Sequence, residues 1–320
     1  LDYELFLAIL VSCQHWDWVF GDLPFYQDHS TPPHDFNGRA LRIKDSMPEA
    51  KTYKARFHHY GAMIDEMELL IHHYDPKLDK QTWIAQIIRS NTLGKNSRNW
   101  AREVISGAFY PRLVNGHYPD AWQHLRWMEQ AGWDKKAIRA ALCYHTLLSD
   151  ELIYDFCTDV VYEKYFAGSL HINATDAYNF IAALPATSLS TDWTDYLKRR
   201  LSRGFMATLR DFGLLEGKAI KKIAAFSLPM ETFLYIACLL QQQTRSGEKL
   251  VAHPDWKLFL LTTKLIERLF LDAHQRRLMQ YHSAGAIIRI EFPYSSIEEL
   301  IHAIGSERLA NLERDLLSHP

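Results

Sequence analysis

Between Leu170 and Phe226 the chain reads LHINATDAYNFIAALPATSLSTDWTDYLKRRLSRGFMATLRDFGLLEGKAIKKIAAF. The pattern predicts a short apolar segment at residues 170–172, a helix from Thr175 to Leu184, and a second helix from about Asp192 to Asp211. Apolar residues on both sides of Gly217 then predict a β-hairpin. Helix, turn, helix and hairpin in this order are typical of a winged helix-turn-helix, which usually places its second helix on nucleic acid.

The second predicted helix carries an apolar stripe and a basic stripe. At 100° per residue, four apolar positions share one third of the circumference and predict a core face: Leu197, Leu201, Phe205 and Leu209. Arg199, Arg203 and Arg210 cluster on the opposite side. The hairpin that follows is also basic. The candidate nucleic-acid contacts of this region are therefore Arg199, Arg200, Arg203, Arg210, Lys218, Lys221 and Lys222.

An ordinary solvated helix face would by itself explain a basic stripe of this kind. The basic hairpin favours nucleic-acid binding instead, because helix and wing would share one face. A further basic patch lies at the turn between helices predicted at residues 82–90 and 97–109, and consists of Lys95, Arg98 and Arg102. For that patch a solvated surface is the favoured interpretation. Trp193 and Trp100 are candidates for base stacking, whereas the other tryptophans occupy core positions of predicted helices.

Composition restricts the possible functions. The chain has 320 residues and a formal net charge of −2, so DNA binding would have to come from local patches and not from overall charge. Four scattered cysteines without a Cys-x-x-Cys motif predict reduced, buried side chains in a cytoplasmic protein: Cys13, Cys143, Cys157 and Cys238. No apolar run is long enough to span a membrane, so no membrane association is expected.

We predict a mainly α fold, a helical bundle with tandem winged helix-turn-helix-like units that carry short β-hairpins. Residues 1–56 form an amphipathic helix and an irregular, proline-containing connector, and residues 57–148 form a helical domain. Residues 149–228 form the first winged unit, in which Ser149 caps a helix over Asp150–Phe166. Residues 229–320 form a second winged-helix-like unit with C-terminal helices.

The second unit repeats the pattern of the first in a looser form. Helices are predicted over Met230–Gln242, Pro254–Leu261 and Thr262–His274, followed by a hairpin whose alternating residues 286–292 predict a strand with one wet face. Its basic character is weaker and comes from Arg276, Arg277 and Arg289. Either Ser295 with Glu298 or Ser296 with Glu299 forms a capping box that starts the closing helices.

Sequence motifs for catalysis are missing. The chain contains no glycine-rich phosphate loop, no Gly-x-Ser-x-Gly and no His-Glu-x-x-His, so neither an enzyme nor a cofactor is predicted. His58-His59 and His72-His73 are the candidates for a metal site, but adjacent histidines on a helix point about 100° apart, which favours surface or core positions and no metal. Arginine–histidine spacings known from helical ribonucleases also occur by chance in a chain with this many of both: Arg139/His145, Arg268/His274 and Arg277/His282.

Several motifs, in order, resemble the BREX phage-defence protein A family (BrxA). They are Tyr60-Gly61 with Glu66 and Glu68, Asn91-x-Leu93-x-Lys95-x-Ser97, Leu148-Ser149-Asp150-Glu151-Leu152, Asp155-Phe156, Thr175, Trp193, the run LRDFGLLEG at residues 209–217, and Pro229. The resemblance covers about Phe57 to Leu317. It implies a helical cytoplasmic protein of a bacteriophage-exclusion system whose other subunits include a DNA methyltransferase, an ATPase and a phosphatase-like protein. It also implies non-enzymatic DNA binding and a partial likeness to the antitermination factor NusB, and it supplies no catalytic residues.

The sequence therefore predicts a DNA-binding accessory subunit of a phage-defence complex, with double-stranded DNA and other defence subunits as partners. Two alternatives stay open. The winged units could be scaffolds of a protein-interaction adaptor that does not touch DNA, with the N-terminal helix as a partner-binding segment. A helical ribonuclease would require one of the arginine–histidine pairs to meet in space.

Overall fold

Most of the described α-helices begin after a residue whose side chain accepts a hydrogen bond from a backbone N–H of the first turn. A computed structural model describes residues 51–306 except Arg56, His58, His59, Asn96, residues 218–220 and Ala286. The helix predicted for residues 1–20 with its Cys13, most of the connector, His58-His59, Lys218 and the chain after residue 306 lie outside the described residues. All the described residues belong to one compact unit.

The described chain is mainly helical, as predicted, with two small antiparallel sheets. Its α-helices are α1 Ile64–His73, α2 Lys80–Arg89, α3 Arg98–Val104, α4 Ala121–Gln130, α5 Lys135–Leu148, α6 Glu151–Phe156, α7 Tyr162–Phe166, α8 Ala174–Ala182, α9 Asp195–Asp211, α10 Met230–Gln243, α11 Gly247–Val251 and α12 Thr263–Gln275. Residues 297–306 are also helical. The strands are β1 His171–Ile172, β2 Leu215–Glu216, β3 Lys221–Ile223, β4 Gln280–Ala284 and β5 Ile287–Glu291.

The first helices follow the predicted apolar faces. Met67, Leu70 and Ile71 of α1 are buried, as are Trp83, Ile84 and Ile87 of α2. Ser97 caps α3 as predicted, since its side chain accepts a hydrogen bond from the Trp100 N–H. The helix does not end at Phe109, however, but continues as a π-helix over Ile105–Val114. Pro111 lies inside this segment and lacks the N–H that an α-helical hydrogen bond requires.

Two helix starts within residues 149–228 differ from the prediction. Asp150, not Ser149, caps α6, because its Oδ1 accepts from the N–H of Leu152 at 3.0 Å, while the Ser149 hydroxyl donates back to the Thr146 carbonyl. Helix α8 begins at Ala174, one residue before the predicted Thr175, and Asn173 caps it in a reciprocal capping box with Asp176. Each of these helices therefore begins one residue away from its predicted start.

A three-stranded antiparallel sheet closes the first unit, in the strand order β1–β3–β2. His171 pairs with Lys222 and Ile172 with Lys221, while Leu215 pairs with Ile223 and Glu216 with Lys222. The connection from α8 to α9 covers residues 183–194 and includes a short 3₁₀ turn at Ala186–Ser188. It is much longer than the turn of three or four residues typical of a helix-turn-helix, and α9 begins at Asp195 instead of Asp192.

A strap formed by the described part of residues 51–62 crosses this unit. The Tyr53 N–H donates to the Ser188 carbonyl at 2.8 Å, and the Tyr53 hydroxyl donates to Asp155 Oδ2 at 2.6 Å. At the other end, the buried Arg112 guanidinium donates to the carbonyls of Gly61 and Ala62, both at 2.8 Å. Burial lowers the pKa of Arg112 to about 10, so it stays charged at neutral pH.

The strap packs closely on α9. Leu201, Phe205 and Leu209 of the predicted apolar stripe are fully buried, and Leu197 is half-buried. The Phe205 ring lies between Phe57 of the strap and Phe156 of α6, with ring centroids 6.1 and 5.5 Å apart. The contact is possible because position 204 is glycine: a Cβ there would lie 2.2 Å from the Phe57 carbonyl oxygen.

The second unit contains α10, α11, a 3₁₀ helix at Pro254–Phe259, α12 and the β4–β5 hairpin. Thr262 caps α12 through the Leu265 N–H. In the hairpin, Gln280 pairs with Glu291 and Ala284 with Ile287 around a turn at Gly285. Ser296 accepts from the Glu299 N–H, and Glu299 accepts from Ser295, so the second of the two capping boxes is the closer description.

We expect Gly204→Ala to destabilise the protein by about 1–3 kcal/mol, the usual cost of overpacking a tight core. Helix propensity alone predicts the opposite sign, a gain of about 1 kcal/mol for alanine. Urea unfolding followed by circular dichroism measures the difference. Arg203→Ala, at the neighbouring exposed position, is the control and should stay within about 0.5 kcal/mol of the wild type. A more stable Gly204→Ala protein would contradict the close contact between strap and helix.

Candidate nucleic-acid interface

The arginines of α9 lie on its exposed side, as predicted. Arg199, Arg203 and Arg210 are exposed and border two adjoining shallow depressions of about 170 and 240 Å³, with Arg203 in the lining of both. The N-terminal residues of α8 form the opposite wall, and Lys221 of β3 closes the second depression. We call Arg199, Arg203, Arg210 and Lys221 the basic groove. Its depressions are smaller than the roughly 300–1,000 Å³ of typical small-molecule pockets.

The hairpin lysines do not all face the helix. Side chains alternate along a strand, and the burial of β3 runs half-buried, exposed, buried over residues 221–223. Lys221 therefore lines the basic groove, whereas Lys222 lies on the other face of the sheet between His171 and Glu216. Arg200 is half-buried and lines neither depression. Among the described hairpin lysines, only Lys221 lies on the face that the hairpin shares with α9.

The groove arginines differ in their ion pairs. Arg199 donates from Nε to Asp195 Oδ2 at 2.7 Å, and its guanidinium stacks on Tyr178 with Cζ 4.8 Å from the ring centroid. Hydrogen bonds from Tyr178 and then Arg199 lower the pKa of Asp195. Arg210 donates to the neighbouring Asp211 through both Nε and Nη2. Arg203 forms no ion pair with any residue that the structure describes, so its full charge faces solvent.

The second predicted basic patch is exposed and is not part of the basic groove. Lys95 precedes α3, Arg98 begins it and Arg102 lies in its last turn, and the Lys95 ammonium is 5.5 Å from the centroid of the half-buried Trp100 ring. Arg102 contacts Asn99 at 3.4 Å. Among the described residues, no hydrogen bond or ion pair joins this patch to α9 or to the β2–β3 hairpin.

The aromatic side chain exposed in the first turn of α9 is Tyr196, and not the predicted stacking candidate Trp193. Trp193 is only 6% exposed and belongs to the core, so it is not a stacking candidate. Tyr196, in the first turn of α9, is 67% exposed. It falls on the arginine side at 100° per residue, so the same periodicity that located the arginines could have located it.

Two histidines form polar contacts within the helical packing. His145 Nε2 and His124 Nδ1 both contact the Tyr235 hydroxyl, at 2.7 and 2.9 Å, within the packing of α4, α5 and α10. Burial lowers the pKa of His124 to about 4 and holds the pKa of His145 well below 6.5. Both rings are therefore neutral at pH 7. His72 and His73 of the proposed metal pair are exposed.

The ribonuclease spacings do not bring arginine and histidine together. Arg139 is at the surface and pairs with Glu68 at 3.0 Å, whereas His145 is 2% exposed and contacts Tyr235. Over the described part of the chain, no hydrogen bond joins Arg268 to His274 or Arg277 to His282. In the same part, no group of three or more histidine, cysteine, aspartate or glutamate side chains is placed to hold a metal ion.

Comparison with known protein families shows which family this chain matches. The BrxA family model matches residues 51–238, which is more than half of the chain. The chain belongs to the BrxA family. The match contains the strap, the helical region, the basic groove and most of α10, and it ends before α11, so it reaches less far towards the C-terminus than the motif resemblance indicated. No curated protein matches the sequence.

Membership of the BrxA family suggests a role in BREX phage defence. The matched region contains both elements of the basic groove, α9 and β3. No helix among the described residues is long and apolar enough to cross a membrane.

We expect the protein to lose stability as the pH falls from about 6.5 towards 4. The folded state keeps His124 and His145 neutral, whereas the unfolded chain binds protons near pH 6.5, so the unfolded state takes up more protons across this range. A histidine with a folded pKa near 4 accounts for up to about 2 kcal/mol between pH 7.5 and 5. Urea unfolding at a series of pH values measures the slope.

His145→Gln tests the assignment, because glutamine can still contact Tyr235 but does not titrate. Its unfolding free energy should depend on pH less steeply than that of the wild type, by about one proton. His73→Gln, on the exposed end of α1, serves as the control and should leave the slope unchanged. Equal slopes for His145→Gln and wild type would show that His145 is not the titrating group.

Proposed function

We propose that this BrxA family member is a non-enzymatic, cytoplasmic accessory protein of a BREX phage-defence system that binds double-stranded DNA. In this proposal, residues 149–228 act as a winged helix-turn-helix. Helix α9 enters the major groove and the β2–β3 hairpin follows the adjacent backbone. The observation that carries the proposal is the basic groove, in which α9 and β3 turn four cations towards one surface.

The order of elements supports a winged helix. Helices α6 and α7, strand β1, helices α8 and α9 and the β2–β3 hairpin follow one another, and β3 lies between β1 and β2 in the sheet. This arrangement puts the last helix and the hairpin side by side. The connection between α8 and α9 is long for such a module, but its backbone is held by Tyr53 of the strap on both sides of Leu189. A fixed connection keeps α9 in one orientation relative to α8.

The charges favour a polyanion over a small anionic ligand. The groove arginines run along α9 from Arg199 to Arg210, eleven residues apart, which corresponds to about 16 Å at 1.5 Å per residue. DNA is an extended ligand, so a row of arginines of this length can contact it at several points at once. Single small anions would occupy only one end of such a row.

Individual residues have distinct expected roles. Arg203 has no ion pair with a described residue and lies at the centre of the groove, so we expect it to contact a DNA phosphate. Lys221 lies across the groove from Arg203 and would contact the backbone from the hairpin. Arg210 shares its charge with Asp211 and should contribute less. Lys222 would contact DNA only if the duplex also reached the outer face of the sheet.

A protein-interaction adaptor is the second candidate, and the second unit favours it. Leu265 and Leu271 of α12 are 40% and 46% exposed, and Ile287 at the start of β5 is 72% exposed. Exposed apolar side chains mark a protein-docking site where they form a continuous patch. In this alternative the chain would scaffold the other defence subunits without touching DNA.

The double variant Arg203→Glu with Arg210→Glu tests DNA binding by the groove. It should weaken binding to a duplex and flatten the dependence of log Kd on log salt by between one and two units, about one for Arg203 and less for Arg210, whose charge is shared with Asp211. Fluorescence anisotropy with a labelled 20-base-pair duplex between 50 and 300 mM salt measures both quantities.

The control carries the same charge change elsewhere. Lys136 of α5 and Arg245, after α10, are exposed and have no ion pair with a residue that the structure describes. Lys136→Glu with Arg245→Glu should change the slope far less than the groove variant. If both double variants bind DNA like the wild type, the groove is not the DNA-binding face. If the wild type shows no salt-dependent binding while it co-purifies with another defence subunit, the adaptor function is favoured.

A further inference from the structure

The first turns of α9 hold one arginine in a fixed position. Arg199 uses only Nε for its hydrogen bond to Asp195, and the second carboxylate oxygen of Asp195 accepts from the Tyr178 hydroxyl at 2.5 Å. The Tyr178 ring stacks against the guanidinium, with its centroid 4.8 Å from Arg199 Cζ. Tyr178, Asp195 and Arg199 form what we call the buttress. Two elements, α8 and α9, contribute to it, so the position of Arg199 depends on tertiary packing.

The two terminal amino groups of Arg199 are turned to solvent. Neither Nη1 nor Nη2 donates a hydrogen bond to a residue that the structure describes, and the side chain is 61% exposed. Other surface arginines are bound differently. Arg276 donates to Asp272 through both Nε and Nη2, and Arg289 contacts Glu291 through the same two atoms. In those pairs the carboxylate occupies part of the terminal edge that a further partner would need.

We propose that Arg199 reads a guanine in the DNA major groove and that Asp195 and Tyr178 position it for this contact. The proposal rests on the proposed DNA-binding function and specifies which groove residue recognises a base. A guanine presents two acceptors, O6 and N7, on its major-groove edge, and an arginine with both terminal amino groups available can donate to both. Arg199 also lies in the N-terminal part of the helix, where a recognition helix contacts base edges.

Electrostatics favour a base over a phosphate as the partner of Arg199. The nearby carboxylate makes the Arg199–Asp195 pair close to neutral, so the pair would release few counterions from DNA and would be a weak phosphate anchor. Base recognition depends instead on the direction of the donors, and that direction is what the buttress holds. Arg203, one turn further along α9 and without an ion pair to a described residue, has the opposite properties.

The test is selection of binding sites from a pool of random 20-base-pair duplexes, followed by affinity measurements on the selected duplex and on one with the guanine replaced. We expect the wild type to select a G·C pair at a defined position and to prefer it by about 10- to 100-fold. Arg199→Ala should abolish this preference with little change in the salt dependence. Arg203→Ala should weaken binding to both duplexes alike and flatten the salt slope by about one unit.

The Asp195→Ala variant distinguishes a role of Asp195 in positioning Arg199 from a role in folding. Removing the carboxylate frees the charge of Arg199, so affinity for the pool should rise while the preference for guanine falls. A variant that only damaged the fold would lower both, and circular dichroism checks the helix content. Tyr178→Phe, which keeps the ring but removes the hydroxyl, should lower the preference by a smaller factor.

The outcomes distinguish this inference from the proposed function. If the wild type binds duplexes with a steep salt dependence but selects no guanine, or if Arg199→Ala selects the same site as the wild type, base reading by Arg199 is refuted and DNA binding stands. If the wild type binds no duplex even at 50 mM salt, both proposals fail.

Discussion

The burial of Phe205 between Phe57 and Phe156 is the contact on which the arrangement of the first unit depends. A buried phenylalanine contributes about 2–3 kcal/mol relative to an exposed one, and each aromatic pair adds about 1 kcal/mol. The contact orients α9 about its own axis, because Leu201 and Leu209 share its face. Once this stripe is buried, Arg199, Arg203 and Arg210 must point to solvent. The core therefore determines the direction of the charges.

The strap helps to fix the orientation of α9 about its axis. It reaches α9 only because Gly204 leaves room for the Phe57 backbone, and polar contacts at both ends hold it: Tyr53 with Asp155 and Arg112 with the carbonyls of Gly61 and Ala62. A buried arginine is costly to desolvate, and two short hydrogen bonds to carbonyls offset that cost. The family match begins at residue 51, so it includes the strap together with the groove that the strap orients.

The groove combines two kinds of arginine with different electrostatic properties. Arg203 has no ion pair with a described residue, so its charge is available to a phosphate. Arg199 is held in one direction by Asp195 and Tyr178, and the Asp195 carboxylate offsets most of its charge. On such a surface different residues can determine affinity and selectivity, because affinity for DNA depends mainly on charge and selectivity depends on the direction of the hydrogen-bond donors. The exposed apolar residues of the second unit lie on other elements, α12 and β5, so a protein partner and DNA need not compete for the same side chains.

The sequence by itself determined the helical class, the apolar stripe of α9, the exposed positions of Arg199, Arg203 and Arg210, and the family, because each depends on periodicity or on ordered motifs along the chain. Only the tertiary structure decided that Lys221 and not Lys222 faces the helix, since strand register sets which side chains share a face. It alone placed Trp193 in the core and Tyr178 beneath Arg199. These depend on contacts between elements distant in sequence, for which a local pattern carries no signal.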